Sequence, residues 1–162
     1  MTGVKRIMRY LRGTSNLPII YKREGNFDLV GYCGASYRLG DPEKMRSVTG
    51  TMFFIAGGLV HFSSQLQKIT SQSTTESEII AMTTCAKQGI YLSGILGELG
   101  WKHCRTFKIS SDNRGVLHLA ANGNYSNRSK HIAIRFAALR DWIRQNKTIL
   151  ILFRQKTSLA TS

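Results

Sequence analysis

The sequence predicts an α/β fold in which a five-stranded mixed sheet is flanked by helices. Three strand patterns come first and lie close together in the chain, which is typical of an antiparallel meander. Helical segments then alternate with two further apolar strands, which we expect to join the sheet in parallel. This order predicts helices on both faces of the sheet. A chain of 162 residues is long enough for one domain with a sizeable core.

The first elements are predicted from apolar spacing. Residues 3–12 place apolar side chains at helical intervals with Lys and Arg on the other face, and Gly13 follows, which predicts a short basic amphipathic helix. Strand patterns then occupy 27–33, 50–56 and 59–63. The Gly57-Gly58 pair between the last two predicts a tight hairpin turn.

A long helix is predicted from residue 74 onwards, where the apolar period changes from strand-like to helical. Gly100 is expected to end this helix. Ser73 or Thr74 would cap its start, and Glu76 and Glu78 lie in or near the first turn, where the helix dipole favours carboxylates. The remaining predicted elements are a strand at 107–111, helices at 114–121 and 132–145, and a buried strand at 148–153.

The chain is strongly basic, with 23 Lys and Arg against 9 Asp and Glu and a formal net charge of +14. These basic residues are spread along the chain, so they belong to the fold and not to a tail. Such a balance favours a polyanionic partner, nucleic acid in particular, over a basic protein that is merely soluble.

Cysteine usage and hydropathy predict an intracellular protein. The three cysteines lie far apart and form no CxxC pair, so neither a disulfide framework nor a zinc site is supported. The amino terminus lacks the apolar stretch of a secretory signal, and no uninterrupted apolar run approaches membrane-spanning length. We therefore expect a soluble chain of the cytoplasm or nucleus with no membrane partner.

Two of the few acidic residues lie where a site is expected. Glu78 is near the start of the long helix, and Asp112 directly follows the apolar strand at 107–111, at the end of the strand where α/β sheets build their sites. Two carboxylates placed in this way are able to share divalent cations with phosphate oxygens. The alternative is an ordinary helix-start acid beside a capping Asp.

Four motifs together resemble the ribonuclease H region of copia-type retrotransposon polyproteins, over nearly the whole chain. They are "GDPEKMRSVTG", "STTESE", "SDN" and "RSKHIAIR". The opening "VKRIMRYLRGT" resembles the segment that joins reverse transcriptase to ribonuclease H in these elements. The resemblance predicts a connection segment with a basic helix over 1–24 and a ribonuclease H-like domain over 25–162. It also implies a longer polyprotein whose reverse transcriptase portion is a partner.

The resemblance implies a nuclease that cuts the RNA strand of RNA/DNA hybrids with two Mg²⁺ or Mn²⁺ ions held by four carboxylates. Glu78 and Asp112 match two of these positions. Where the family has "YCDADW", this chain has "YCGASY", so Gly34 stands at the first carboxylate position. Thr161 stands where an "LADxxTK" ending would supply the fourth, and Ala133 replaces the Asp of "KHIDIR".

These losses predict a nuclease weakened by several orders of magnitude. Among nearby acids, Asp41 and Glu43 would need a rearranged loop to reach the strand, and Glu76 points away from Glu78 on a helix. Three alternatives stay open: an active enzyme in which Glu78 and Asp112 bind metal with help from substrate and water, a binding module without catalysis, and a decayed fragment without a role.

The same resemblance points to contacts with the hybrid. Arg128, Lys130 and His131 are candidates for phosphate binding, with a merely solvated helix start as the alternative. Ser111 and Asn113, with Ser110, are candidates for contacts to sugar edges, where the 2′-hydroxyl distinguishes RNA from DNA. Capping at the end of the strand is the alternative for these three positions.

Overall fold

The sheet has five strands in the order β3-β2-β1-β4-β5. The computed structural model describes residues 2–24, 26–41, 45–101, 104–122 and 130–153. In chain order its elements are α1 (Thr2–Thr14), β1 (Val30–Asp41), β2 (Arg46–Ile55), β3 (Gly58–Leu66), α2 (Thr74–Glu98), β4 (Phe107–Ser111), α3 (Arg114–Asn122), α4 (Lys130–Arg144) and β5 (Thr148–Leu152). β1 pairs with β2, and β2 with β3, in antiparallel fashion, whereas β4 is parallel to both β1 and β5. The predicted mixed sheet is therefore confirmed, with β1 at its centre.

The turn between β2 and β3 lies one residue earlier than predicted. Its central residues are Ala56 and Gly57, with φ of 52° and 79°. Positive φ at both central residues is the geometry of the hairpin turns that match strand twist. Gly58 instead begins β3, where the ring of Tyr21 lies so close that any side chain at this position would collide with it.

Helix α2 covers the centre of the sheet and contributes much of the core. Its length and composition alone would allow it to cross a bilayer, but ten of its residues are buried in the fold, and it contacts β1, β2 and β4. Gly89 permits close packing against Phe107. Gly100, with φ of 84°, follows the end of the helix as predicted.

The helices that contact the sheet share one face, which differs from the expectation of helices on both faces. Among the described elements, α2, α3 and α4 contact one another as well as the sheet. Successive residues of a strand point to opposite faces, so Phe53 is fully buried beneath α2 while Met52 is 46% exposed. On β3, Phe62 is 71% exposed. We call this second surface the open face.

Helix α1 presents both its basic and its apolar side chains to solvent. Val4, Ile7, Met8 and Leu11 are each more than half exposed. The segment that follows is fixed to the β2–β3 turn, because the Lys22 amide donates to the Ala56 carbonyl at 2.8 Å and the Tyr21 hydroxyl to that of Leu59 at 2.7 Å.

Candidate functional site

One cleft of about 630 Å³ brings together three of the positions singled out from the sequence: Gly34, Glu78 and Asp112. β1 supplies the first, α2 the second and the end of β4 the third. β1 and β4 are parallel neighbours, so residues towards their carboxyl ends meet at the same edge of the sheet. We call this space the carboxylate cleft.

Gly34 lies inside β1 and not at its end. The strand continues to Asp41 because the β1–β2 ladder extends past Gly34, which pairs with Gly50, and Gly50 pairs in turn with Ser64. A Cβ atom built on Gly34 would meet nothing within 4 Å. The strand side of the cleft therefore has a bare strip with room for a side chain.

The start of α2 holds Glu78 in place through a capped first turn. The Ser73 hydroxyl accepts a hydrogen bond from the Glu76 amide at 3.2 Å, so Ser73 is the cap. The Glu76 carboxylate is buried and accepts from the Gln72 amide at 2.7 Å. Glu76 thus stabilises the helix start and does not line the cleft, as the helical geometry predicts.

The two oxygens of Glu78 have different surroundings. Oε1 accepts a hydrogen bond from the Ala35 amide at 3.2 Å, which ties α2 to β1 next to Gly34. Oε2 is buried, and no donor in the described part of the chain reaches it. Buried acceptors in folded proteins usually have a partner, so this oxygen is a natural ligand for a cation.

The charge state of Glu78 reflects its position. Burial raises the pKa of the carboxyl above its ordinary value, the Ala35 amide partly opposes that rise, and the negative charge of Asp112 adds to it. Asp112 itself is exposed at the mouth of the cleft. A cation beside Glu78 would oppose this rise and favour the ionised form of that carboxyl.

The described residues do not fit a centre of two divalent ions. Between residues 2 and 153, within the described ranges, no three His, Cys, Asp or Glu side chains converge as metal ligands. Such a centre carries a charge of about +4 and needs several anionic ligands besides the substrate phosphate. Gly34 offers no side-chain oxygen to either ion, and among the described residues that line the cleft only Glu78 and Asp112 carry carboxylates.

The predicted hybrid-binding residues near the end of β4 fall into two groups: side chains that make capping contacts and one that lines the cleft. The buried Ser111 accepts from the Asn113 amide at 3.3 Å through Oγ, and Asn113 Oδ1 accepts from the Val116 amide at 3.1 Å at the start of α3. Both side chains thus make capping contacts, while the largely buried Ser110 lines the cleft. Their roles towards nucleic acid stay predictions.

The basic candidates at the start of α4 are exposed. Lys130 and His131 occupy its first turn, and neither lines the carboxylate cleft. Arg128 and Thr161 lie outside the described residues, as does Glu43. Asp41 ends β1, seven residues beyond Gly34 along the strand.

Sequence reasoning missed the apolar and hydroxyl lining of the cleft. Phe62, Ser64 and Phe153 all contribute to it. The alternation of "LVHFSSQL" in β3 carried the signal, since it places Phe62 and Ser64 on the same side of the strand. Whether these two side chains line a cleft or the core depends on which face of the sheet the helices cover.

Comparison with known proteins gives Pol polyproteins of plant transposons among the relatives of this chain. The Pol polyprotein of transposon TNT 1-94 from Nicotiana tabacum is 38% identical over 145 residues, 88% of this chain and 10% of that protein. The Pol polyprotein of transposon RE1 from Arabidopsis thaliana is 32% identical over 143 residues, again 88% of this chain and 10% of the relative. The chain is a homologue of copia-type retrotransposon Pol polyproteins. It spans about a tenth of their length.

Solved structures place this Pol homologue in the ribonuclease H-like fold. LC11 ribonuclease H1, isolated from compost, superposes with a TM-score of 0.58 at 13% identity, covering 80% of this chain and 86% of that one. Its complex with an RNA/DNA hybrid superposes with a TM-score of 0.54 at 12% identity, covering 78% and 86%. Identities this low establish the fold alone. No protein-family model matches the chain.

Proposed function

We propose that this chain is the ribonuclease H-like domain of a retrotransposon Pol polyprotein and that it has lost nuclease activity. The observation that carries the proposal is Gly34, which has no side chain and lines the carboxylate cleft together with Glu78 and Asp112. The family resemblance gives that position to a carboxylate that bridges both metal ions.

The physical argument concerns the number of ligands. Hydrolysis with two metal ions needs one ion near the attacking water and one near the leaving oxygen, at a fixed spacing. Glu78 and Asp112 together neutralise about half of the charge of two divalent ions. A bridging ligand also fixes the distance between the ions, and neither remaining carboxylate replaces it.

The division of the chain forms part of the same proposal. We assign residues 1–24 to a connection segment that includes α1, and residues 25–162 to the ribonuclease H-like domain. The partner of the connection segment is the reverse transcriptase portion of the same polyprotein, and the exposed apolar side chains of α1 supply a surface for it. The site of action is inside the cell, in the cytoplasm or nucleus.

A second function, binding of nucleic acid without cleavage, is favoured by charge. A formal net charge of +14 provides the counterion-release driving force for a polyanion. The structurally similar ribonuclease H1 was solved with an RNA/DNA hybrid, and we assign the same class of ligand here. Candidate contacts are Ser111, Asn113, Arg128, Lys130 and His131.

Cleavage of a labelled RNA/DNA hybrid tests the loss of activity. The purified chain is assayed with Mg²⁺ and with Mn²⁺, and Asp112→Asn serves as the control for a contaminating nuclease. We expect no cleavage above that control from a protein shown to be folded by circular dichroism. Cleavage by the wild-type chain that disappears in Asp112→Asn would show that two carboxylates suffice and would refute the proposal.

Binding is tested separately by fluorescence anisotropy over a salt series. We expect affinity for a hybrid to exceed that for a DNA duplex of the same sequence and to fall steeply with salt. Equal and weak binding to hybrid, DNA duplex and heparin would instead identify a fragment that keeps only its ancestral charge.

A further inference from the structure

We propose that a second cleft, on the open face next to the carboxylate cleft, holds one unpaired nucleobase of the bound nucleic acid. This cleft has a volume of about 460 Å³, and Val30, Tyr32, Met52, Phe54 and Phe153 form its apolar lining. We call it the aromatic cleft. The proposal rests on the nucleic-acid-binding function given above and specifies which part of the ligand the open face contacts.

The rings of the aromatic cleft are fixed by mutual contacts. Tyr32 lies edge-to-face with Phe54, with ring centroids 5.6 Å apart and an interplanar angle of 90°. Tyr32 makes the same kind of contact with Phe153, at 5.7 Å and 88°. The Phe153 amide also donates to the Ser111 carbonyl at 2.9 Å, which holds this residue at the end of β5. A planar ligand therefore meets preformed ring faces and loses little energy to rearrangement.

The aromatic cleft adjoins the carboxylate cleft. Tyr32, Met52 and Phe153 line both spaces and form the wall between them. Tyr32 and Met52 are direct partners across β1 and β2, two pairs along the ladder from Gly34 and Gly50 and therefore on the same face of the sheet. A nucleic-acid strand whose phosphates lie in the carboxylate cleft thus has its next nucleotide within reach of the aromatic cleft.

Polar groups stand at the rim on the far side. The Asp28 carboxylate accepts hydrogen bonds from Asn26 Nδ2 at 2.9 Å and from Lys108 Nζ at 2.6 Å. This arrangement places amide and carboxylate groups where the edge of a base would lie. Lys22 extends along Gly57 at the same rim, where its ammonium group can meet a phosphate.

The ligand must be an unpaired nucleotide because a base in a duplex is stacked on both sides. Proteins that bind single strands place bases against aromatic side chains, and this contact tolerates any base sequence. The aromatic cleft has the volume of a small-ligand site, about 300–1,000 Å³ in general. An overhang at the end of a hybrid, or the displaced part of a strand, presents such a base.

The test compares a blunt RNA/DNA hybrid with the same hybrid carrying a single-stranded overhang, using anisotropy and the full chain. We expect the overhang to lower Kd by about tenfold, as stacking of one base on an aromatic side chain does. Phe153→Ala should abolish that advantage and have a smaller effect on the blunt Kd, since Phe153 also lines the carboxylate cleft, and Phe153→Trp should retain the advantage. Tyr91→Ala, which removes an aromatic ring 70% exposed on α2, is the matched control and should behave as wild type.

Each outcome separates this inference from the function on which it rests. If the wild-type chain binds neither hybrid, the binding function itself fails. If it binds both equally, or if Phe153→Ala weakens both to the same extent, binding stands and the nucleobase site is overturned. An iodouracil in the overhang should crosslink to Tyr32 or Phe153. Crosslinks confined to α1 would also overturn the inference, since they would show that the base lies elsewhere.

Discussion

The two sides of the carboxylate cleft differ in what they contribute to it. The carboxylate side consists of Glu78 and Asp112, and there the capped start of α2 and the end of β4 position negative charge. The glycine side consists of Gly34 and Gly50, which are paired across β1 and β2 and offer only backbone. The fold is maintained on both sides, so the ribonuclease H-like architecture forms without a side chain at position 34 of β1. Fold and chemistry are specified by different residues here.

The largest effect is expected when the missing charge is returned to the glycine side. Gly34→Asp has room for its side chain and should create a site that binds Mg²⁺. At Mg²⁺ concentrations about 100-fold above Kd, binding adds about 2.7 kcal/mol of stability. That corresponds to a rise in Tm of roughly 5–10 °C for a domain of this size. Wild type and Gly34→Asn should respond little in the same thermal scans, and an equal rise in wild type would show that its site is already complete.

Without metal, the ionised Glu78 carboxylate on the carboxylate side should lower the free energy of unfolding, by an amount that depends on pH. Because the pKa of Glu78 is raised in the folded state, the folded chain holds that proton more tightly than the unfolded chain. This contribution to stability is therefore present at low pH and is lost as pH rises from 4.5, the ordinary value, through the raised value. Glu78→Gln does not titrate, so at pH 7 in EDTA it should be more stable than wild type.

The control for this effect is Glu98→Gln, which removes an exposed carboxylate at the other end of α2. Thermal scans between pH 4 and pH 8 should give an advantage of Glu78→Gln that grows with pH, and no such trend for Glu98→Gln. A stability difference for Glu78→Gln that is constant with pH would contradict the electrostatic explanation.

Removing the cap that positions Glu78 should also change the free energy of unfolding, but by an amount that does not depend on pH. Ser73→Ala removes the acceptor for the Glu76 amide and should cost about 1 kcal/mol. Thr74→Ala, one residue later, should change stability by less than about 0.5 kcal/mol. Urea denaturation measures both variants. If the Thr74 variant loses more stability than the Ser73 variant, the cap has been assigned to the wrong residue.

The smallest effect is expected at the second glycine of the glycine side. A Cβ atom on Gly50 would have its nearest neighbour at 3.9 Å, so alanine fits there without strain. Gly50→Ala should raise the free energy of unfolding by about 0.5 kcal/mol, because it reduces the conformational entropy of the unfolded chain. Gly31→Ala is the contrast, because its Cβ would lie 2.7 Å from a ring carbon of Phe53 and should cost about 1–3 kcal/mol. If both variants change the free energy of unfolding equally in urea denaturation, Gly50 has no more room for a side chain than Gly31.

The sequence predicts the fold class, the strand order along the chain and the pairing of Glu78 with Asp112. These depend on local patterns: a capping Ser73 before an apolar helical period, and a carboxylate directly after a buried strand. The convergence then follows from the parallel pairing of β1 and β4. Gly34, which the resemblance singles out, lines the same cleft as these two carboxylates, although β1 continues beyond it.

The open face was not predictable in the same way. Met52 and Phe62 belong to strands whose alternation shows two faces, but the sequence does not show which one the helices cover. That choice depends on contacts of α2 with residues far away in the chain. The β2–β3 turn also lies one residue earlier than predicted, at Ala56-Gly57. Gly58 is needed for the packing of Tyr21, and this tertiary contact has no signal in the local sequence pattern.

The most direct test of the account is the cleavage rate of Gly34→Asp relative to wild type on one labelled RNA/DNA hybrid in Mg²⁺. The double variant Gly34→Asp with Thr161→Asp is assayed beside them, and Gly34→Asp with Asp112→Asn is the control. We expect cleavage that is absent in wild type, appears with Gly34→Asp, increases in the double variant and is lost in the control. Wild-type cleavage as fast as that of Gly34→Asp would contradict it, because the missing carboxylate would then have no role.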